Sequence, residues 1–456
     1  MSSGDTRPIH FVGIAGAGMR ALAELLARRG IAVTGCDANP GAVDDLDALG
    51  IRVLRGHSPE HVEGSRELIV TSAMKRNHPE IVRATELGIP VTRRAEALAR
   101  AVEQGKVIGV AGTHGKTTTT VMTTAALAAA GLRPTGIVGG RVGEWNGNLR
   151  YEGDDLFVVE ADEYDRSFLT LSPTVAVVTN IEADHLDIYR DLDDIRASFA
   201  RFVSAAAAIV LCDDDPGARS LELPSSAEVI RYGLASHDAR LTARRVTVAR
   251  EQTRFSVEYD GEALGDLTLR VPGDHNILNA LASVGVGLWL GVSLDDMSRG
   301  LSAFAGVDRR FQRLGEVNGV TIIDDYAHHP TEIVATLQAA RTTYPGHRII
   351  AAFQPHLFSR TRDFAIDFGN ALAGADSVFL ADIYPAREQP IDGVTSDLIA
   401  AVLREKGRPV AWNGDRGSLA AALHEFVSDG DIVLTIGAGD ITKTGPELKA
   451  MLEPKP

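Results

Sequence analysis

The sequence predicts an α/β protein of three domains built on largely parallel sheets. Three observations carry that prediction. Short apolar runs alternate with helix-period stretches along almost all of the 456 residues. Glycine-rich turns repeatedly join an apolar run to a helix pattern. Two polar or irregular stretches, 103–106 and 304–310, interrupt the alternation and set expected boundaries at 1–103, 104–306 and 307–456.

In the first domain, residues 9–12 predict a strand, followed by the turn GIAGAG at 13–18 and a helix pattern ending at Gly30. The next strand, 31–36, ends at Asp37. Gly16, Gly18 and Ala21 satisfy GxGxx[GA], and Asp37 stands where an acid reaches ribose hydroxyls. Such a turn reads a diphosphate on a helix terminus without separating a nicotinamide dinucleotide from a UDP-sugar. Its plainer alternative is a tight turn with no ligand. Further short units run through 68–72 and 89–91 to Arg100.

The second domain opens on a strand at 107–110 and a helix pattern at 120–130 closed by Gly131, with AGTHGKTTT between them at 111–119. Backbone N–H groups and the positive helix end suit a triphosphate. Lys116 can reach the outer phosphates and Thr117 can offer its hydroxyl to Mg²⁺. The common nucleotide loop has an additional glycine where this chain has Val110. The loop is therefore GxxGK[ST], opened by Gly112.

Two apolar strands follow. Residues 155–160 (DLFVVE) deliver Glu160 at a carboxyl end, and 175–180 (VAVVTN) lead to Glu182, Asp184, His185 and Asp187. Mg²⁺ needs only one or two carboxylates besides phosphate oxygens. The ordinary alternatives are a helix-capping acid for Glu160 and a surface histidine for His185; their position downstream of the lysine loop favours a metal site. A β-rich stretch spans 231–271, before a helix begun at Asp274 and Asn276. The uncharged run 277–294 has the length of a membrane-span candidate. Its polar residues and the stop at Gly291 predict a buried helix of a soluble domain instead.

The third domain alternates again, with strands expected at 320–323, 348–353, 377–380 and 432–436. DDYAHHP at 324–330 follows the first strand, and Pro330 can start a helix. Adjacent His328 and His329 point their rings apart on a regular backbone, which argues against zinc. FQPH at 353–356 with Arg360 and Arg362 offers cations near a strand end, or merely a solvated basic turn. GAGD at 437–440 is a further backbone-approach loop. There is no Gly-x-Ser-x-Gly element and no Cys–His nucleophile pair.

Composition narrows the function classes. A net charge of −15 disfavours nucleic acid as the main partner, while leaving phosphorylated small molecules open. Cys36 and Cys212 lie far apart and show neither a disulfide framework nor metal-ligand spacing. The N-terminus carries no signal-peptide core, so a cytoplasmic location is expected.

Seven blocks together resemble the Mur ligases, the ATP-dependent amino-acid-adding enzymes of peptidoglycan synthesis. They are GIAGAGM at 13–19, AGTHGKTTT at 111–119, EADE at 160–163, TNIEADHLD at 179–187, DHNILNALA at 274–282, DDYAHHPTE at 324–332 and FQPHLFSRTRD at 353–363. Within the family the chain is most similar to the branch that adds L-alanine to UDP-N-acetylmuramate. The absence of lysine from 186–202 agrees, because sister ligases use a modified lysine there. Arg20, where the family often has a small residue, is a departure beside the sugar-nucleotide loop.

The resemblance implies an N-terminal Rossmann-like UDP-sugar domain, a central P-loop-type ATP domain and a C-terminal Rossmann-like domain. It implies that Gly16, Ala17, Gly18, Met19 and Asp37 meet the UDP-sugar. Gly112, Thr113, His114, Gly115, Lys116, Thr117 and Thr118 would form the ATP loop, with Asn276 and Asn279 at the adenine and Arg310 and Asp325 reaching the nucleotide. Thr117, Glu160 and His185 would hold Mg²⁺. His328, His356 and Arg360 would lie near L-alanine and an acyl phosphate; Lys116, Glu160, His185, His328 and Arg360 are the expected catalytic set. The implied partners are small molecules only, with no membrane insertion and a monomer or weak homodimer. A murein-recycling tripeptide ligase is the nearest rival. An NAD-dependent oxidoreductase would leave the lysine loop idle, and a non-catalytic ATP switch would leave the sugar domain idle.

Overall fold

The computed structural model describes residues 5–453 except 42, 73, 187, 250–251 and 409, so Asp187 lies outside the described residues. Three sheets organise the chain. The first has five parallel strands in the order Arg52–Arg55, Val33–Asp37, Ile9–Val12, Glu67–Val70, Val91–Arg93. Strand order reverses beside Ile9–Val12, and the turn at 13–18 leaves that strand's carboxyl end, where open α/β sheets bind ligands.

The second sheet has ten strands. At its centre Lys106–Ala111 lies between Leu156–Glu160 and Val175–Val178, all parallel. Beyond Val175–Val178 come Ala208–Cys212, Glu228–Gly233, Leu241–Ala249, Gln252–Tyr259 and Glu262–Leu269; beyond Leu156–Glu160 come Thr135–Val142 and Gly147–Arg150. The third sheet has six strands, ordered Gln312–Val317, Val320–Asp325, Ile432–Ile436, Ile349–Phe353, Ser377–Ala381, Val410–Gly414, and only the first pair is antiparallel. Its strands alternate between two cores. Ile323, Ala351, Phe353 and Leu434 fill one face, and Ile322, Ile350, Ala352 and Val433 the other.

The chain divides into two compact units. One comprises Met1–Arg244, Ser256–Leu267 and Leu278–Ala303; the other comprises Arg245–Phe255, Thr268–Ile277 and Phe304–Pro456. Within the first unit a single apolar core runs from Phe11, Leu22 and Leu25 of the first sheet's layer to Phe157, Phe199 and Leu211 of the second. Helix Ala17–Arg28 packs on strands Thr135–Val142 and Gly147–Arg150. Arg29 ties the same layers, at 2.7 Å from Asp154 and 5.5 Å above the Phe157 ring.

Two local differences from the sequence-based expectation have physical causes. The helix expected at 120–130 begins earlier and spans Lys116–Ala129. Its run of β-branched threonines is poor helix sequence, but the hydroxyls are absorbed. Thr120 and Thr124 donate to the carbonyls of Lys116 and Thr120, while Thr119 and Thr123 donate to Asn279 and Ser283. Strands Thr135–Val142 and Gly147–Arg150 were not expected, because four glycines dilute their apolar signal. As expected, the run from Asp274 forms a buried helix, Asp274–Trp289, which stops before Gly291 with Ile277, Leu281 and Val284 buried, and no helix among the described residues is long and apolar enough to cross a membrane.

Candidate active site

The three central strands of the second sheet end side by side, with Val110 paired to Glu160 and Ala111 to Val178. Their carboxyl ends therefore release the lysine loop, Glu160 and the Thr179–Asn180 turn at one place. Val110 is a fully buried strand residue, which explains why no glycine is needed there: the loop starts two residues later. Gly112 has φ +145°, and a methyl there would run into Thr179 Oγ1. Gly115 caps the helix at φ +80°, and a methyl on it would stand 2.8 Å from Asn279 Oδ1.

The loop is cross-braced from its neighbour strand. Asn180 Oδ1 accepts from His114 N at 2.7 Å, and Thr179 Oγ1 and Asn180 Nδ2 donate to His114 O at 2.6 and 3.1 Å. His114 Nε2 is 2.9 Å from Glu182 Oε2, while Thr113 Oγ1 accepts from Glu182 N at 2.9 Å. Asn279 Oδ1 accepts from Thr119 Oγ1 at 3.0 Å, so this asparagine supports the lysine loop from the helix packed beside it.

Lys116 donates to the carbonyls of Gly112 and Thr113 at 2.6 and 3.1 Å, and its Nζ lies 2.8 Å from Glu163 Oε2. Thr117 Oγ1 donates to Glu160 Oε1 at 3.0 Å, and Glu160 Oε2 accepts from Gly139 N at 2.7 Å. His185 Nε2 sits 3.5 Å from Glu163 Oε1 and 3.8 Å from Asp184 Oδ2, with its ring edge-on to Tyr164. Its backbone is left-handed, at φ +53°, an uncommon conformation that a functional site retains when the surroundings enforce it. Tyr189 donates from its hydroxyl to Glu163 O at 2.6 Å and holds that segment down.

Burial governs the charges here. It pushes Glu160 and Asp162 upward, so both carboxyls are held closer to neutrality than free ones. Burial also opposes ionisation of Glu163, but adjacent Lys116 and His185 outweigh it and bring Glu163 below its usual range. Lys116 and His185 are desolvated too, yet their acidic neighbours raise both. The result is a compact set of two basic side chains and several carboxyls at a helix N-terminus. Sequence reasoning did not single out Glu163. Its signal was the second glutamate of EADE, released from the same strand end as Glu160.

In the first sheet, Gly16 caps helix Ala17–Arg28, so Ala17, Gly18 and Met19 form its first turn. Asp37 Oδ2 accepts from Ala15 N at 3.1 Å and Oδ1 from Asn39 N at 2.9 Å, which fixes the acid against the glycine turn. Arg20 pairs with Asp45 at 2.5 Å.

The second unit gathers the remaining candidates. Arg309 and Phe311 both have positive φ, 61° and 49°, and this contortion sets Arg310 with its guanidinium 5.0 Å above the Tyr326 ring. Arg310 Nη1 is 3.3 Å from Glu332 Oε1. Asp325 accepts from Phe311 N and Ala327 N at 2.9 and 2.8 Å, and burial pushes its pKa up to about 6 despite Arg310. His328 N donates to Glu332 Oε2 at 2.9 Å, and the His328 ring lies 6.2 Å from that of His356, which stacks on Tyr384. Arg360 is buried in helix Phe358–Leu372, whereas Arg362 forms a surface pair with Asp363. Asn276 donates to Pro272 O at 2.6 Å.

Comparison with known proteins agrees along the whole chain. Residues 8–106 match the Mur ligase family catalytic domain, 110–287 the Mur ligase middle domain and 309–439 the Mur ligase glutamate ligase domain. The UDP-N-acetylmuramate–L-alanine ligase of Oleidesulfovibrio alaskensis is 45% identical over 442 residues, spanning 96% of this chain and 97% of that protein. The enzyme of the same name from Salinibacter ruber is 42% identical, spanning 99% and 96%. The crystal structure of the UDP-N-acetylmuramate-alanine ligase of Thermotoga maritima superposes with a TM-score of 0.81 at 29% identity, over 98% of this chain and 99% of that one. A murein peptide ligase from Psychrobacter arcticus shares the fold, with a TM-score of 0.71 at 24% identity over 98% of each chain. The chain belongs to the Mur ligase family.

Proposed function

We propose that this protein joins L-alanine to the lactyl carboxylate of UDP-N-acetylmuramate at the expense of ATP, in peptidoglycan precursor synthesis. The observation that carries this reading is the Lys116 loop, set beside Glu160, Glu163 and His185, in a chain so similar to ligases of that name. The working parts are 1–103 for the UDP-sugar, 104–306 for ATP and 307–456 for the amino acid and closure. The protein acts on small molecules in the cytoplasm, as a monomer or weak homodimer.

The reaction has two displacements. A carboxylate oxygen attacks the γ-phosphorus, the bond to ADP breaks, and an acyl phosphate forms. The alanine amine, having lost a proton, then attacks the acyl carbon, and the tetrahedral intermediate expels phosphate and leaves the amide. Both steps crowd negative charge, so fixed donors are required. Lys116 exchanges its loop carbonyls for the outer phosphates, and the N–H groups of Lys116–Thr118 face them from the helix start. The paired oxygens of Thr117 and Glu160 fit a hard cation, with His185 nearby in the same cluster of charges. These three would hold Mg²⁺, which when bound neutralises phosphate charge. Asn276, Arg310 and Asp325 serve the nucleotide, and His328, His356 and Arg360 the alanine and acyl phosphate. Gly16, Ala17, Gly18, Met19 and Asp37 receive the UDP-sugar.

The test is phosphate release from ATP with UDP-N-acetylmuramate and, in turn, L-alanine, glycine, L-serine or the tripeptide. L-alanine should turn over fastest. Turnover with the tripeptide alone would overturn the assignment in favour of a recycling ligase.

A further inference from the structure

The first sheet gathers a constellation that the ligase reaction does not use. His10 and Cys36 lie on neighbouring parallel strands, where Val12 pairs with Cys36 and His10 with Thr34. That face of the sheet is covered by the short turn Pro59–Val62 and helix Pro79–Glu86, which bring His61 and Glu80 against it. Glu80 is fully buried. Its carboxylate oxygens lie 3.1 and 3.2 Å from Cys36 Sγ, 3.2 Å from His61 Nδ1 and 4.0 Å from His10 Nε2. Ser58 N donates to the same carboxylate at 3.0 Å, and His57 Nδ1 stands 3.3 Å from Cys36 Sγ.

One atom is out of place in a purely structural network. His10 is fully buried, its Nδ1 is 2.9 Å from Thr34 Oγ1, and its Nε2 has no hydrogen-bond partner among the described residues. Leaving a buried ring nitrogen unmatched is costly. That nitrogen faces the cluster, and one donor atom from each of His10, Cys36, His61 and Glu80 lies within 4.8 Å of the others. Tetrahedral zinc with bonds of about 2.0–2.3 Å would set its donors roughly 3.3–3.8 Å apart. Small side-chain movements close the difference.

We propose that His10 Nε2, Cys36 Sγ, His61 Nδ1 and Glu80 form a binding site for a divalent transition-metal ion of the zinc class. The donor set mixes thiolate, imidazole and carboxylate, which suits zinc and not the hard Mg²⁺ of the phosphate site. On binding, the metal–sulfur bond replaces the Cys36 S–H bond and the proton leaves to water. Thr34 holds the His10 ring with Nδ1–H turned away from the ion, the outer-shell arrangement that directs a ligating nitrogen. Without a cation, burial and then Glu80 raise the Cys36 thiol well above its ordinary range, and a bound cation reverses that balance. His57 and His61 are partly exposed and mark the entry path.

The experiment uses the full-length protein, stripped with a chelator and titrated with Co²⁺ in excess Mg²⁺. One equivalent should bind with a sulfur-to-cobalt charge-transfer band, and Zn²⁺ should displace it. Cys36→Ser should lose the band, Cys212→Ser should keep it, and His61→Asn should weaken Co²⁺ binding by at least about tenfold. His61→Asn also decides the matter where Cys36→Ser does not fold, since it changes a partly exposed side chain. A parent protein without the band, a band surviving Cys36→Ser, or unchanged affinity in His61→Asn would each overturn the proposal.

Discussion

Replacing Lys116 by methionine separates the two things this side chain does. Nζ is held by two loop carbonyls and by Glu163, in a pair whose side chains are only 14% and 4% exposed. Removing one member of a buried pair usually costs about 3–5 kcal/mol, because the other is left uncompensated. His185 remains 3.5 Å from Glu163 and retains part of the compensation, so the lower end applies, about 3 kcal/mol. That should lower the thermal midpoint of the first unit by roughly 6–12 °C. The chemical loss is separate. A lysine aimed at transferring phosphate is worth at least the factor of about 10²–10³ measured for single transition-state donors. Adding Glu163→Gln removes the stranded charge and should recover most of the midpoint without recovering phosphate release. The measurements are calorimetry and coupled phosphate release, on parent, single and double variants. A Lys116→Met protein with an unchanged midpoint, or with turnover within tenfold of the parent, would refute the reasoning.

Three further outcomes follow from other contacts. Glu160→Gln keeps the shape beside Thr117 but removes a charge, so the half-saturating Mg²⁺ concentration for turnover should rise about tenfold or more; an unchanged Mg²⁺ dependence would remove Glu160 from that role. Gly112→Ala combines φ +145° with a clash on Thr179 and should cost roughly 2–5 kcal/mol. Gly131→Ala, at φ +83° in open space, should cost about 1 kcal/mol, and equal urea midpoints for the two variants would contradict this. Asp325 has a folded pKa of about 6, raised above its reference of 3.8, so its ionisation opposes folding. The penalty is absent below the unfolded value and complete above the folded one. As pH rises from about 4.5 to 7.5, the parent should lose about 2 kcal/mol relative to Asp325→Asn in urea unfolding. A difference independent of pH would show that Asp325 is not the titrating group.

Much of the candidate site was legible because its parts are local. A strand, a glycine turn and a helix start place Gly112, Lys116 and Thr117 within one βα unit, and no distant residue is needed to read it. Glu160 and His185 were found by the same logic, since each follows an apolar strand. The partner of Lys116 was not legible. Glu163 reaches it only because Leu156–Glu160 lies directly beside Lys106–Ala111, while the strands between them in sequence are placed farther out. Helix Lys116–Ala129 was read four residues short, because threonine-rich sequence has low propensity and its hydroxyl partners, Asn279 and Ser283, lie 160 residues away.

The amino-acid sequence alone determined the α/β class, the glycine-rich lysine loop and the family's ordered motifs, because each depends on residues adjacent along the chain. The tertiary structure decided what those residues touch. Cys36 showed no metal-ligand spacing in the sequence, yet parallel pairing sets it beside His10, and a helix from the other side of the turn adds Glu80. Parallel sheets join strands through long crossovers, so side-chain neighbours across them are separated by tens of residues. Chemistry that depends on such neighbours becomes visible only once strand order and register are known.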